Sequence, residues 1–216
     1  MKKLFFVLLG VFVMAAFTGL KQEELKTLRD TIQQTKTEQD PSKELCSAMF
    51  RSDTEEIIKL LEKTKNIKSV KCSQNFSVIS VAIINKNVDI SVLEKLLEAG
   101  ANPNEENLLD YAIGNNSPEQ VDLLLKYGAK TSVDNRPYAQ YRTFTYVINP
   151  YKNTKILDLL IKAGADINAV NDKKETALDY TLKKMDEEKE EKSKKEYMEV
   201  VQFLIDNGAK KGSELQ

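Results

Sequence analysis

Apolar residues recur with a helical period through most of this 216-residue chain, and four of the apolar stripes run into the same dipeptide. The segments "LLEAGANPN", "LLLKYGAKTS", "LLIKAGADIN" and "FLIDNGAKKG" each carry Gly-Ala. The last apolar residue before each glycine is Leu97, Leu125, Ile161 or Ile205. Four residues earlier lie Leu93, Val121, Leu157 and Val201. Residues four apart share a helix face, so each pair lines one side of a helix. "EEIIKLLEKTKN" fits the same template with Ile57 and Leu61 but lacks the glycine. Glycine closes a helix in the left-handed conformation without a Cβ clash, so Gly100, Gly128, Gly164 and Gly208 are predicted helix C-caps. A phosphate-cradling loop would instead follow a strand and cluster its glycines, which this pattern does not do.

A shorter helix is predicted before each of these: "ELCSAM", "SVISVAI", "NLLDYAI", "RTFTYVI" and "TALDYTL". Their inner apolar residues would be Leu45, Ile79, Leu109, Phe144 and Leu178. Three residues on stand the smaller Ala48, Ala82, Ala112, Val147 and Thr181, which let two helices approach closely. The result is five helix–turn–helix units at irregular spacing around a repeat of about 33 residues.

This pattern resembles the ankyrin repeat family. The family's Thr-Pro-Leu-His-x-Ala helix start is best matched by Thr176-Ala177-Leu178-Asp179-Tyr180-Thr181. Its Leu-Leu-x-x-Gly-Ala-Asp-x-Asn end is matched by Leu160 to Asn168. The resemblance spans about Ser42 to Lys211 and implies an all-α ankyrin-repeat solenoid over 42–212, with a polar tail at 213–216. It departs from the family in having no proline after the helix-starting position, no glycine in the first unit and a poor match at the fourth unit's first helix. The resemblance also implies protein binding through hairpin tips and the inner faces of the first helices.

The N-terminus reads differently. Lys2 and Lys3 precede an apolar run from Leu4 to Phe17, the plan of a bacterial secretory signal over 1–20. The run is short for a membrane span, which needs about 20 residues. Phe17 sits poorly at the −3 position of a cut after Gly19, so a cleaved signal and an uncleaved anchor both stay open. Residues 21–41 are polar, with Leu25, Leu28 and Ile32 at helical spacing, and read as a tether or short capping helix. The expected location is the periplasm or outside the cell, with membrane contact only through an uncleaved anchor.

Three irregularities stand out against the repeat. The connection from Ser132 to Tyr151 holds four of the eight tyrosines, with Arg136 and Arg142. Tyr and Arg dominate binding hot spots. By the family's pattern Asp134, Asn135, Arg136 and Tyr138 would lie at or beside a hairpin tip, and Tyr141, Arg142 and Thr145 near the start of a first helix. All seven are candidate partner contacts; core packing of Phe144 and some tyrosines is the competing reading. The second irregularity, Leu182 to Val200, inserts about eleven residues relative to the other units. Its i,i+4 pairs Glu188–Lys192, Glu190–Lys194 and Glu191–Lys195 predict that the last two helices extend past the stack into water. The third is the cysteine pair. In an exported chain Cys46 and Cys72 would form a disulfide worth about 3–4 kcal/mol, stapling the unit without a glycine. Two separate thiols, with Cys46 a small core residue, are the alternative.

Composition bears mainly on chemistry. There is no histidine, and the net charge is −1. The first removes the commonest general base and metal ligand, and the second gives no basic patch for nucleic acid. Two cysteines cannot close a structural zinc site. Asp110 and Asp179 both stand where the family has histidine, and the expected role of each is to satisfy amides near a helix start. The expectation is therefore a non-enzymatic monomer that binds another protein, with no cofactor, no metal and no small-molecule substrate. An immunity or inhibitor protein acting on a toxin or enzyme in the periplasm is the alternative. A carboxylate-dependent enzyme is the weaker one.

Overall fold

The computed structural model describes residues 40–105, 108–131 and 138–215. The expected signal segment and nearly all of the tether lie outside them. So do Asp134, Asn135 and Arg136. Among the described residues ten α-helices form five pairs. They are α1 (Pro41–Arg51) with α2 (Thr54–Leu61), α3 (Val78–Ile84) with α4 (Ile90–Glu98), and α5 (Leu108–Gly114) with α6 (Pro118–Lys126). The last two pairs are α7 (Ala139–Tyr146) with α8 (Thr154–Lys162) and α9 (Ala177–Glu187) with α10 (Glu191–Asp206). The only extended pairing in this part of the chain is an isolated bridge between Lys71 and Ser77. The architecture is an all-α ankyrin-repeat solenoid.

Short side chains start the helices. Asp53, Asp89, Ser117 and Asn153 cap the second helices of the first four units, each accepting from a backbone N–H two or three residues on. Asp40, Ser77 and Thr176 do the same for α1, α3 and α9. Each oxygen satisfies an N–H that the helix cannot.

The ends repeat more closely still. Gly164 has φ +89°, its N–H donates to Ile161 O at 2.9 Å, and the Ala165 N–H donates to Leu160 O at 2.9 Å. Gly100, Gly128 and Gly208 make the same paired bonds. This is a Schellman closure, and it explains why alanine follows glycine: its N–H and methyl both return to the last buried turn. The first unit uses another device. Thr64 donates to Leu60 O from its N–H (3.0 Å) and from its Oγ1 (2.7 Å), and Asn66 then takes the left-handed turn at φ +54°.

All ten inner residues expected of the first helices are buried, from Leu45 to Leu178 and from Ala48 to Thr181. The second-helix stripe needs correction. Leu61, Leu125 and Ile161 are only half-buried, and Ile205 is 50% exposed. Leu97 is buried as expected, at 4% exposed, but the leucines covered in every unit are one residue earlier: Leu60, Leu96, Leu124, Leu160 and Leu204, all at most 4% exposed. At 3.6 residues per turn, i+3 and i+4 fall on opposite sides of the axis through i, and the core lies on the i+3 side. Ile205 lies at this same outer position, in the last of the described units.

First helices stack α1 on α3, α3 on α5 and α7 on α9, and second helices stack in the order α2, α4, α6, α8. Side-chain amides tie successive units together. Asn85 Nδ2 donates to Met49 O at 3.0 Å, and Asn115 Nδ2 to Ile83 O at 2.7 Å. On the hairpin side Asn104 donates to Gly128 O (2.9 Å) and accepts from the Lys130 N–H (2.8 Å). Asn168 repeats this toward Gly208 O (3.3 Å) and the Lys210 N–H (2.8 Å).

The last two helices are lengthened as expected, to 11 and 16 residues, and their facing ends are largely exposed, but the turn between them falls on the ion-pair run itself. Glu188 forms no i,i+4 ion pair. Instead it sits in the turn between α9 and α10, accepting from the N–H groups of Lys189 and Glu190 and from Ser193 Oγ. Three such bonds favour the ionised carboxylate and hold Glu188 below its ordinary range. The added α10 residues pack back on the stack through Tyr197, which is 4% exposed. At the end of the described residues Gly212–Glu214 form a 3₁₀ turn, and the Gly212 N–H donates to Asp179 Oδ2 at 2.8 Å.

Cys46 and Cys72 are bonded, with Cα atoms 5.1 Å apart and a separation of 26 residues, so α1 is tied to the connection leading to α3.

Candidate functional site

The first helices present three tyrosines at one register. Tyr111, Tyr146 and Tyr180 each stand two residues after the inner apolar residue of α5, α7 and α9, and each is half-buried. Sequence reading singled out Tyr138 and Tyr141 and passed over Tyr111 and Tyr180. The repeats "LLDYA", "FTYV" and "ALDYT" carry the signal that would have found them.

Around this row the aromatic rings share polar partners. A π-turn, Val147–Tyr151, follows α7 directly. Pro150 ends the helix there and holds Asn149 extended (φ −125°, ψ 114°), as the residue before a proline prefers. The turn brings Tyr151 against Tyr146, ring centroids 6.0 Å apart and planes at 79°, an edge-to-face pair. Tyr151 OH donates to Gly114 O at 3.0 Å, where the first two unit boundaries use an asparagine amide. Asn149 then links the last unit, donating to Tyr180 OH (3.3 Å) and accepting from Tyr197 OH (3.4 Å). Lys152 Nζ lies 4.5 Å from the centroid of the Tyr197 ring and 3.6 Å from Glu196. Lys184 Nζ lies 5.9 Å from the Tyr180 ring and bonds Glu187 at 2.9 Å.

Burial pushes the Tyr146 hydroxyl up to about 12, with the Asp110 carboxylate and Tyr151 adding to the rise. Tyr141 is raised by burial and then by the charge of Glu175, against a hydrogen bond with Asn171. Tyr197 is raised chiefly by burial. These hydroxyls are neutral hydrogen-bonding groups at any physiological pH.

The seven residues expected to meet a partner separate here. Three lie outside the described residues. Tyr138 is 48% exposed and enters α7 in the left-handed region at φ +63°, with no side-chain cap. Tyr141 and Arg142 are half-buried in the first turns of α7, beside the row. Thr145 is corrected: α7 ends at Tyr146, so Thr145 sits in the last turn, bonding Arg142 O at 3.1 Å.

The carboxylates expected to serve amides do so at Asp179. Its Oδ2 accepts from the Thr176 N–H (2.9 Å), Thr176 Oγ1 (3.0 Å) and the Gly212 N–H (2.8 Å). An oxygen with three donors is a structural acceptor. Among the described residues no group of acids or cysteines is arranged to hold a metal. A cleft of about 460 Å³ lies on the hairpin side, between Lys68, Leu97, Gly100–Pro103, Glu105 and Tyr127. Its one acid, Glu105, is engaged by Ser77 Oγ and by Lys71 at 3.9 Å.

This stack of helix pairs closed by Gly-Ala turns is the ankyrin-repeat architecture. A solved ankyrin repeat protein, EF0377, is similar in fold, with a TM-score of 0.54 and 22% sequence identity over 77% of this chain and 81% of that one. No protein-family model and no characterised protein sequence matches the chain.

Proposed function

We propose that the chain is a non-enzymatic scaffold that binds another protein through the first-helix face, centred on Tyr111, Tyr146 and Tyr180. The observation that carries this reading is their common register. Half-buried tyrosines in a row offer large, rigid, amphipathic area at low entropy cost. Core packing alone would not keep a hydroxyl-bearing ring at the same outward position in three units. Tyr138, 48% exposed at the start of α7, extends the surface, and Arg136 remains a candidate by its sequence position alone. The N-terminal lysines and apolar run support an envelope location for the scaffold, periplasmic after cleavage or tethered without it.

Affinity capture from a bacterial envelope extract, with bound proteins identified by mass spectrometry, tests this. Wild-type protein should recover a partner that Tyr111→Ala/Tyr180→Ala loses, while both retain the same thermal midpoint within a few degrees. Equal recovery by the variant would remove the tyrosine row from the function. Arg136→Ala with Tyr138→Ala tests the hairpin extension separately. Mass spectrometry of the N-terminus of the exported chain decides between cleavage and tethering.

A further inference from the structure

The join between the first two units lacks the devices that close the others. Units two to five end in a Gly-Ala closure, whereas the first ends at Thr64 and Asn66. The turns at Gly128, Gly164 and Gly208 are each also bonded by a side-chain amide from the preceding hairpin, that of Asn104, Gln140 or Asn168. At the Gly100 turn that place belongs to Lys68, four residues after Thr64 as Asn104 is four after Gly100. Lys68 Cε stands 3.7 Å from where a Gly100 Cβ would be. A lysine can accept no N–H, so the tie to Asn102 cannot form there. Non-covalently, the two units are held by the packing of α1 on α3 and α2 on α4, and by Asn85 Nδ2, bonded to Met49 O and Ser52 Oγ at 3.0 Å each. The Cys46–Cys72 bond adds a covalent tie from α1 to the segment that runs into α3. That segment is closed by the Cys72 N–H, which donates to Phe76 O at 2.8 Å.

We propose that the Cys46–Cys72 bond is a redox-operated lock on the first unit alone: oxidised, the unit belongs to the stack, and reduced, it opens while the other units stay folded. Cys72 is half-buried and Cys46 is 8% exposed, so Cys72 is the sulfur that a reductant reaches. Attack there by one sulfur of a dithiol releases the Cys46 thiolate. The dithiol's second sulfur then frees Cys72, so that the bond gains two electrons and two protons and the dithiol ends as its own disulfide. Stacked units interact only with their neighbours, so one pair can open without the rest. Loss of a bond spanning 26 residues favours that opening by about a hundredfold or more. Val78 and Val92 are 1% and 0% exposed where the first unit's Glu44 and Glu56 are half-buried, so these positions face the preceding unit. Opening of the first unit therefore uncovers two apolar residues. The released segment also carries Lys71 and Ser77, which both engage Glu105, so a wall of the hairpin-side cleft loosens with it.

Amide exchange of the full chain, oxidised and then reduced with dithiothreitol, tests the lock. Reduction should speed exchange across α1 and α2 by at least about a hundredfold and leave α6, α8 and α10 within about twofold. Binding of the dye ANS should rise on reduction, as apolar surface opens, and fall again on reoxidation. Cys46→Ala with Cys72→Ala should exchange like the reduced protein whether or not dithiothreitol is present, which separates the bond from any other effect of the reductant. An equal gain in exchange over all five units overturns the proposal, because the bond would then stabilise the stack as a whole. Unchanged exchange in α1 and α2 overturns it too, since the first unit would be held without the bond.

Discussion

Gln140 Oε1 accepts a hydrogen bond from the Asp166 N–H at 2.9 Å, the bond that Asn104 and Asn168 make to Lys130 and Lys210. Each recipient stands two residues after a capping glycine. Both asparagines reach across from a hairpin, four residues after the preceding unit's glycine. Gln140 does the same work from the first turn of α7, with one more methylene.

Gln140→Ala should therefore loosen one hairpin locally. The loss of one hydrogen bond is worth about 1 kcal/mol. Urea unfolding should show a fall of that order, and amide exchange at Asp166 should speed up more than at Lys130 or Lys210. Gln140→Asn, too short to reach, should behave like the alanine variant. Unchanged exchange at Asp166 in both would show that the bond carries no stability.

Gly164 tests conformation without packing. A Cβ added there meets nothing within 4 Å, so the cost of Gly164→Ala is the left-handed backbone alone. That cost is about 1–2 kcal/mol for an L-residue. Gly164→Asn should cost less, since asparagine visits this region more readily. Thermal unfolding should rank glycine above asparagine above alanine, with the whole span a few degrees wide.

Gly212 is the contrasting case. It has no left-handed φ, but a Cβ there would collide with the Lys174 carbonyl oxygen, which is backbone and cannot swing aside. Gly212→Ala should break the bond from the Gly212 N–H to Asp179 and release the C-terminal turn. Limited proteolysis should then cut near Lys210 or Lys211 in the variant before the wild type. Equal cutting rates would mean that the turn is not held at Gly212.

The repeat was legible in the sequence because it rests on local rules: a 3.6-residue stripe, a glycine where φ must be positive, and small residues where helices meet. In the second helices Ile57, Leu93, Val121, Leu157 and Leu97 are buried as expected, but at Leu61, Leu125 and Ile161 the neighbouring leucine one position earlier is the covered one, since the two are chemically alike and only packing separates them. The Glu188 turn was misread as helix because ion-pair spacing says nothing about a carboxylate's competing bonds to nearby N–H groups. Tyr111 and Tyr180 were in plain view, but a lone tyrosine in a helix reads as core until units are aligned. The links from Asn149 to Tyr180 and Tyr197 join residues 31 and 48 positions apart, beyond the reach of any local pattern.

Tyr146 sets the alkaline limit of the tyrosine row. Its hydroxyl is raised from 10.0 to about 12, chiefly by burial and next by Asp110. A tyrosine is neutral when protonated, so a raised value means the fold favours the proton. The stability this gives is fully present below the unfolded value near pH 10 and is lost as pH rises toward 12. Absorbance titration of tyrosinate should show a late-ionising class that is absent from Tyr146→Phe. Between pH 10 and 12 the wild type should lose stability faster than that variant, because the phenylalanine has no proton to give up. Identical alkaline slopes for the two proteins would place the raised hydroxyl elsewhere, at Tyr141 or Tyr197, which burial also lifts.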